Sequence, residues 1–168
     1  PNLWGWLADH LGRRGLIVPI LVGPEAKIRE IAANSKRDLS GIEIVDVPHS
    51  HAAAERSVAL VREGRAELIM KGSLHSDELL AAVVAREKGL RTERRVSHVF
   101  IMDVPTYHKV LVITDAAINI APDLLAKADI CRNAIDLAHV LGIARPRVAI
   151  LSAVETVTPK LQATLDAA

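Results

Sequence analysis

Short apolar runs and helix-period stripes alternate along the first half of the chain. LIVPILVG, residues 16–23, is apolar throughout, as a strand covered on both faces is. PEAKIREIAA follows it, with Pro24 at the start of a helix. A second step repeats the change of period. Ile42 to Val47 predict a strand, and HAAAERSVALVREG predicts a helix with Val58, Leu60 and Val61 on its buried stripe and Gly64 as its stop. A third short strand is expected at Leu68 to Met70. It runs into KGSLH, and Ser76 then caps a helix with Asp77 and Glu78 in its first turn, the stripe Leu79, Leu80, Val83 and Val84, and Gly89 as its end.

The period then shifts. VSHVFIMDV and KVLVIT, separated by PTYH, predict an antiparallel pair rather than another crossover, which puts a boundary near residue 94 and lobes at 1–93 and 94–168. A long helix is expected from Asp123 to Leu141, then the strand RVAILS, then LQATLDAA without a cap or closing turn. At the other end, Leu3, Leu7 and Leu11 have helical spacing, with Gly12 or Gly15 as the stop, and Trp4 and Trp6 are expected to be packing anchors. The class is α/β, with a largely parallel sheet and a second, incomplete lobe.

Composition changes this picture only by exclusion. The 168 residues are 50% hydrophobic, enough for a core, and 21 Lys and Arg against 20 Asp and Glu leave no net field that favours nucleic acid or an anionic membrane. The longest apolar run is far shorter than the roughly 20 residues of a membrane span, and no secretory leader is visible. One cysteine, Cys131, cannot form an internal disulfide, so a reducing, cytoplasmic setting is the default. On its helix that residue reads as an inert core thiol before it reads as a nucleophile.

Ligands of parallel α/β sheets gather beyond the carboxyl ends of strands. Lys71, Gly72 and Ser73, leading to His75 and Ser76 at a helix start, offer an ammonium, hydroxyls and free backbone N–H groups suited to a phosphate; a routine βα loop with a serine cap has the same residues. Neither GxxxxGK[ST] nor GxGxxG occurs. Arg91, Arg94 and Arg95 crowd beside Ser97 and His98, as guanidinium forks for phosphate oxygens or as a solvated charge cluster. Thr114, Asp115 and Asn119 follow a strand, where Asp115 either faces a cleft or bonds backbone N–H groups of its turn. Glu155, after RVAILS, is a cleft carboxylate or a first-turn helix acid.

GLIVPILVGPEAKI, ELIMKGSLHSDELL, GLRTERRVSHVFIMDVPTY, ITDAAINIAPDLLAKADI and PRVAILSAVETV resemble, in order, successive blocks of the phosphate acetyl/butyryltransferases, especially the type whose relatives are fused to an enoyl-CoA hydratase domain. The resemblance runs from about Gly15 to Ala168. It implies an isocitrate/isopropylmalate dehydrogenase-like three-layer fold of two lobes around a cleft, dimerisation through the second lobe, coenzyme A as a substrate, and neither metal nor bound cofactor. It implies that Ser73, His75 and Ser76 lie on the acyl phosphate side, that Arg94, Arg95 and Ser97 hold the phosphate, and that Thr114, Asp115 and Asn119 line the cleft with Glu155 nearby. The family's late Ser-Arg element and its acidic base have no counterpart before Ala168, so no catalytic base is assigned and little turnover is expected of this chain alone. Two rivals stand beside this reading: a remnant that binds a coenzyme A ester or pairs with a full-length subunit without catalysis, and a β-decarboxylating dehydrogenase using a metal at carboxylates such as Asp115 and Asp123.

Overall fold

The computed structural model describes residues 10–168, so Leu3, Leu7 and both tryptophans lie outside the described residues. The chain divides into two compact units, one reaching Arg91 and one starting at Thr92. The architecture is mixed α/β.

In the first unit, β1 (Ile20–Gly23) and β2 (Glu43–Asp46) pair in parallel, with Leu21 opposite Ile44 and Val22 opposite Val45. The crossover between them is α1 (Glu25–Asn34). Its free N-terminus is satisfied across the sheet, because Asp46 Oδ1 at the end of β2 accepts the Glu25 N–H at 2.8 Å. Next comes α2 (Ser50–Arg62), whose N-cap His49 accepts the Ala52 N–H on Nδ1 at 3.2 Å. Ala53, Ala54, Val58 and Leu60 on this helix are buried, so α2 supplies most of the unit's core. Full burial of Val58 and Leu60 contributes about 1.5–3 kcal/mol each. The helix closes on Gly64, at φ 71°, with Gly64 N–H on Val61 O and Arg65 N–H on Leu60 O. Last in this unit is α3 (Ser76–Val83).

In the second unit, β3 (Val99–Met102) and β4 (Leu111–Thr114) form the expected antiparallel pair, with Phe100 opposite Ile113. The helix α4 (Leu124–Val140) packs on β4 and buries Ala126, Ile130 and Ala138. Asp123 caps it by accepting the Ala126 N–H at 2.8 Å, and Leu141 is its C-cap. A short α5 (Gln162–Ala167) is tied to it by the Lys127–Asp166 ion pair, and the buried Thr164 hydroxyl donates back into the chain before it.

Several expectations are corrected. Residues 16–19 are not strand: Pro19 lacks the N–H a ladder needs, and pairing begins at Ile20. Leu68 to Met70 and residues 147–152 have no regular secondary structure, and Leu68 and Leu151 are 73% and 89% exposed. An apolar run becomes a strand only when another edge accepts its hydrogen bonds, and among the described residues neither run pairs with one. His75, not Ser76, is the N-cap of α3, and Ser76 is its first helical residue. That helix ends at Val83, six residues before Gly89, which instead closes a later turn. A Cβ at Gly89 would lie 2.4 Å from the carbonyl oxygens of both Val83 and Ala85.

Candidate functional site

In the first unit, residues 68–72 between α2 and α3 have no regular secondary structure, and the chain bends at residues 73–74. The half-buried Lys71 ammonium donates to Leu74 O at 3.0 Å, which closes residues 71–74 into a loop ahead of α3. Ser73, His75 and Ser76 are exposed, and the space where Gly72 would carry a side chain is open. The helix end is not vacant, however. Glu78 accepts the His75 N–H at 3.3 Å on one oxygen and the Ser50 hydroxyl at 3.0 Å on the other, so one carboxylate bridges the first turns of α2 and α3. With Asp77 beside it, the positive end of α3 is largely offset. Lys71 and the hydroxyls, more than the helix dipole, are what this loop offers an anion.

The second unit holds a denser cluster. Asp129, Asn133 and Asp136 stand at i, i+4 and i+7 on α4 and so share one face. Residues 94–97 lie along that face. Asp129 accepts the Arg95 N–H at 3.1 Å, Asn133 donates to Arg95 O at 2.8 Å and to Ser97 Oγ at 3.0 Å, and Asp136 pairs with the Arg94 guanidinium. The two arginines therefore differ. Arg94 is committed to a carboxylate, whereas the exposed Arg95 guanidinium makes one long bond, 3.4 Å, to the neutral Asn119 amide. Most of its five donors remain unused among the described residues.

Asp115 organises the turn after β4. One of its oxygens accepts the N–H groups of His98 (3.0 Å), Ala117 and Ile118 (both 3.3 Å); the other accepts the Asn119 N–H at 2.9 Å and the Asn119 side-chain amide. Burial pushes its carboxyl group up, but the Asn119 amide and the His98, Ile118 and Ala117 N–H groups outweigh that and bring it to about 2. Asn119 also donates to Val96 O at 3.0 Å, and Thr114 donates to His98 O at 2.8 Å. The turn is thus stitched to the segment that carries Arg95 and Ser97. The His98 ring packs edge-on against Phe100, centroids 4.4 Å apart, and its buried Nδ1 has no hydrogen-bond partner among the described residues.

The structure brings Arg94, Arg95, Ser97, Thr114, Asp115 and Asn119 into one network within the second unit, and Lys71 to Ser76 into one loop within the first. Glu155 joins neither. It is exposed among bends after an unpaired segment, so it is not a first-turn helix acid and follows no strand. Asp123 and Asp115, the carboxylates of the metal-dependent rival, both accept backbone N–H groups. Among the described residues no group of three His, Cys, Asp or Glu side chains is arranged to hold a metal ion, and no helix is long and apolar enough to cross a membrane. Cys131 is a half-buried free thiol on α4.

The family profile described as "Phosphate acetyl/butaryl transferase" matches residues 50–168. The chain belongs to this family. It is 66% identical over 161 residues to a phosphate acetyltransferase of Rhizobium meliloti, covering 96% of this chain and 51% of that protein. It is 39% identical over 156 residues to a phosphate butyryltransferase of Clostridium acetobutylicum, covering 93% and 52%. The crystal structure of a branched-chain phosphotransacylase from Enterococcus faecalis V583 superposes with a TM-score of 0.69 at 25% identity, covering 89% of this chain and 61% of that one. The chain spans about half the length of the curated relatives it matches. The polar face of α4 is the part of the network that sequence reasoning missed. Its spacing was visible in the sequence, but a polar helix face ordinarily reads as solvated.

Proposed function

We propose that this chain provides the acyl phosphate side of a phosphate acyltransferase that moves an acyl group between phosphate and the thiol of coenzyme A. The observation that carries this is the Arg95 guanidinium, held beside the Ser97 hydroxyl with most of its donors unspent. A fork of N–H donors next to a hydroxyl matches a phosphoryl group, and family membership supplies the acyl transfer. In the synthetic direction for coenzyme A esters, the thiolate attacks the acyl phosphate carbonyl, the C–S bond forms, the C–O bond breaks, and phosphate leaves with the electron pair. In the second unit Arg95 and Ser97 are assigned to the phosphate, where positive charge and hydrogen bonds help the departing oxygen, and in the first unit the loop of Lys71 and Ser73 offers an ammonium and a hydroxyl to an anion. His75 and Ser76 end that first-unit loop, and Thr114, Asp115 and Asn119 hold the second-unit segment that carries Arg95 and Ser97. Coenzyme A enters as a substrate, and no bound cofactor takes part in this scheme.

The same reading carries a two-lobed fold of the isocitrate/isopropylmalate dehydrogenase type, a homodimer formed through the second lobe, and a cytoplasmic setting. Acetyl phosphate and inorganic phosphate, titrated into the chain and followed by calorimetry, test the central claim. Replacing Ser73, Arg94 and Arg95 together by alanine is expected to weaken acetyl phosphate at least tenfold, since each lost bond to a charged oxygen contributes about 1.5–3 kcal/mol. Unchanged affinity in that variant would overturn the assignment.

A further inference from the structure

The Asn133 side chain has two N–H donors, and both are spent within the segment that carries Arg95 and Ser97: one on Arg95 O at 2.8 Å, the other on Ser97 Oγ at 3.0 Å. Swapping its oxygen and nitrogen is not open to this amide. A backbone carbonyl only accepts, so the nitrogen must face Arg95 O, and the same nitrogen then reaches Ser97. Ser97 Oγ is therefore an acceptor in that contact. Its own proton points elsewhere, and among the described residues no acceptor takes it. The hydroxyl is half-buried, beside a guanidinium with unused donors.

We infer that Asn133 is a positioning residue: by donating to Ser97 Oγ it turns the serine proton outward as a donor to a phosphoryl oxygen of the ligand. The inference rests on the functional reading above, and it deepens it by separating the group that touches the ligand from the group that orients it. Asn133 itself needs no ligand contact. Asp129, the other side chain of the α4 face on this segment, serves a different end, because it holds the Arg95 N–H and fixes the backbone. Asp136 holds Arg94. Only Asn133 reaches a hydroxyl, and only there does the direction of the hydrogen bond decide what the site can offer.

Asn133→Asp reverses the Ser97 contact but also sets an oxygen against Arg95 O, so melting temperature reports the backbone loss while the ligand affinity reports the reversal. The carboxylate accepts instead of donating, draws the Ser97 proton onto itself, and leaves the ligand facing a lone pair. Dissociation constants for acetyl phosphate and melting temperatures are measured for the unaltered chain, Asn133→Asp, Ser97→Ala and the double variant. Each single variant is expected to weaken acetyl phosphate roughly 10- to 100-fold. In the Ser97→Ala background, Asn133→Asp retains the cost of losing its bond to Arg95 O, and the two effects are expected to fall short of additive by at least about threefold, as for two residues that share one hydrogen bond. Full additivity, or an Asn133→Asp chain that binds like the unaltered one, would overturn the inference. A second readout needs no variant at Asn133: the side-chain amide protons of Asn133, followed by NMR in the otherwise native chain, are expected to shift on saturation with acetyl phosphate and to stay still in Ser97→Ala. Amide protons that stay still in the native chain while acetyl phosphate binds would overturn the inference alone. A native chain that takes no acetyl phosphate would overturn the functional reading and this inference with it.

Discussion

Replacing Asp115 by asparagine removes one formal charge and turns one of two acceptor oxygens into a donor, at a point where five N–H contacts converge. The oxygen that serves His98, Ala117 and Ile118 can survive as the amide oxygen. The other site cannot, since an NH2 group there would confront the Asn119 N–H and the Asn119 amide, both of them donors. The carboxyl group titrates at about 2 against an ordinary value of 3.8, with burial raising it and the Asn119 amide and backbone N–H groups more than reversing that. At 1.36 kcal/mol per unit, the difference corresponds to about 2.4 kcal/mol for a fully shielded group. The residue is only part-buried, so screening by solvent reduces the figure to about 1–2 kcal/mol.

Adding the newly opposed donors, Asn substitution is expected to cost about 2 kcal/mol, or roughly 8–16 °C in melting temperature for a unit of this size. The sign with pH follows from the direction of the shift. A folded value below the unfolded one stabilises fully above about pH 4 and is lost as pH falls through about 2. Urea unfolding at pH 7 and at pH 3 checks this, and the gap between the two proteins is expected to shrink by about half at the lower pH. An equal gap at both values, or an unchanged melting temperature, would refute the account of Asp115 as the carboxylate that holds the 115–119 turn.

Lys36 sits at φ 52° two residues past α1, with its N–H on Ala33 O and the Arg37 N–H on Ala32 O, the same closing geometry that Gly64 gives α2 and Gly142, at φ 83°, gives α4. Lys36→Gly relieves about 1–2 kcal/mol of left-handed strain at about 0.5–1 kcal/mol of chain entropy, so a net gain of about 0.5–1 kcal/mol is expected in urea unfolding, and a loss would contradict the geometry. Gly89→Ala drives a methyl group to 2.4 Å from two carbonyl oxygens of the backbone, which cannot swing aside as a side chain would. A loss of about 1–3 kcal/mol is expected, and thermal melting within 1 °C or so of the native chain would show that the turn is looser than described.

What could be read from the sequence divides along the reach of the interactions involved. The helix from Asp123 to Leu141 was legible almost to the residue, because its cap, its stripe and its stop at Gly142 are all local. The pair Val99–Met102 and Leu111–Thr114 was legible because a hairpin brings its own partner. Leu68 to Met70 and residues 147–152 were not, since their apolar runs announce burial while a strand also requires a second edge from elsewhere. The loops at 71–76, 94–97 and 114–119 could be named as polar stretches after apolar runs, but the roles of their side chains could not. Arg94 and Arg95 are chemically identical neighbours in sequence. They become different only because α4 presents Asp136 to one while the guanidinium of the other meets Asn119 of the turn after β4, 42 and 24 residues away along the chain. The same holds for Ser97, whose hydroxyl could have donated or accepted until Asn133 was placed against it, 36 residues on. A network of this kind is written in the sequence as residue types, but its hydrogen-bond directions exist only once the polar face of α4 has folded against the 94–97 segment.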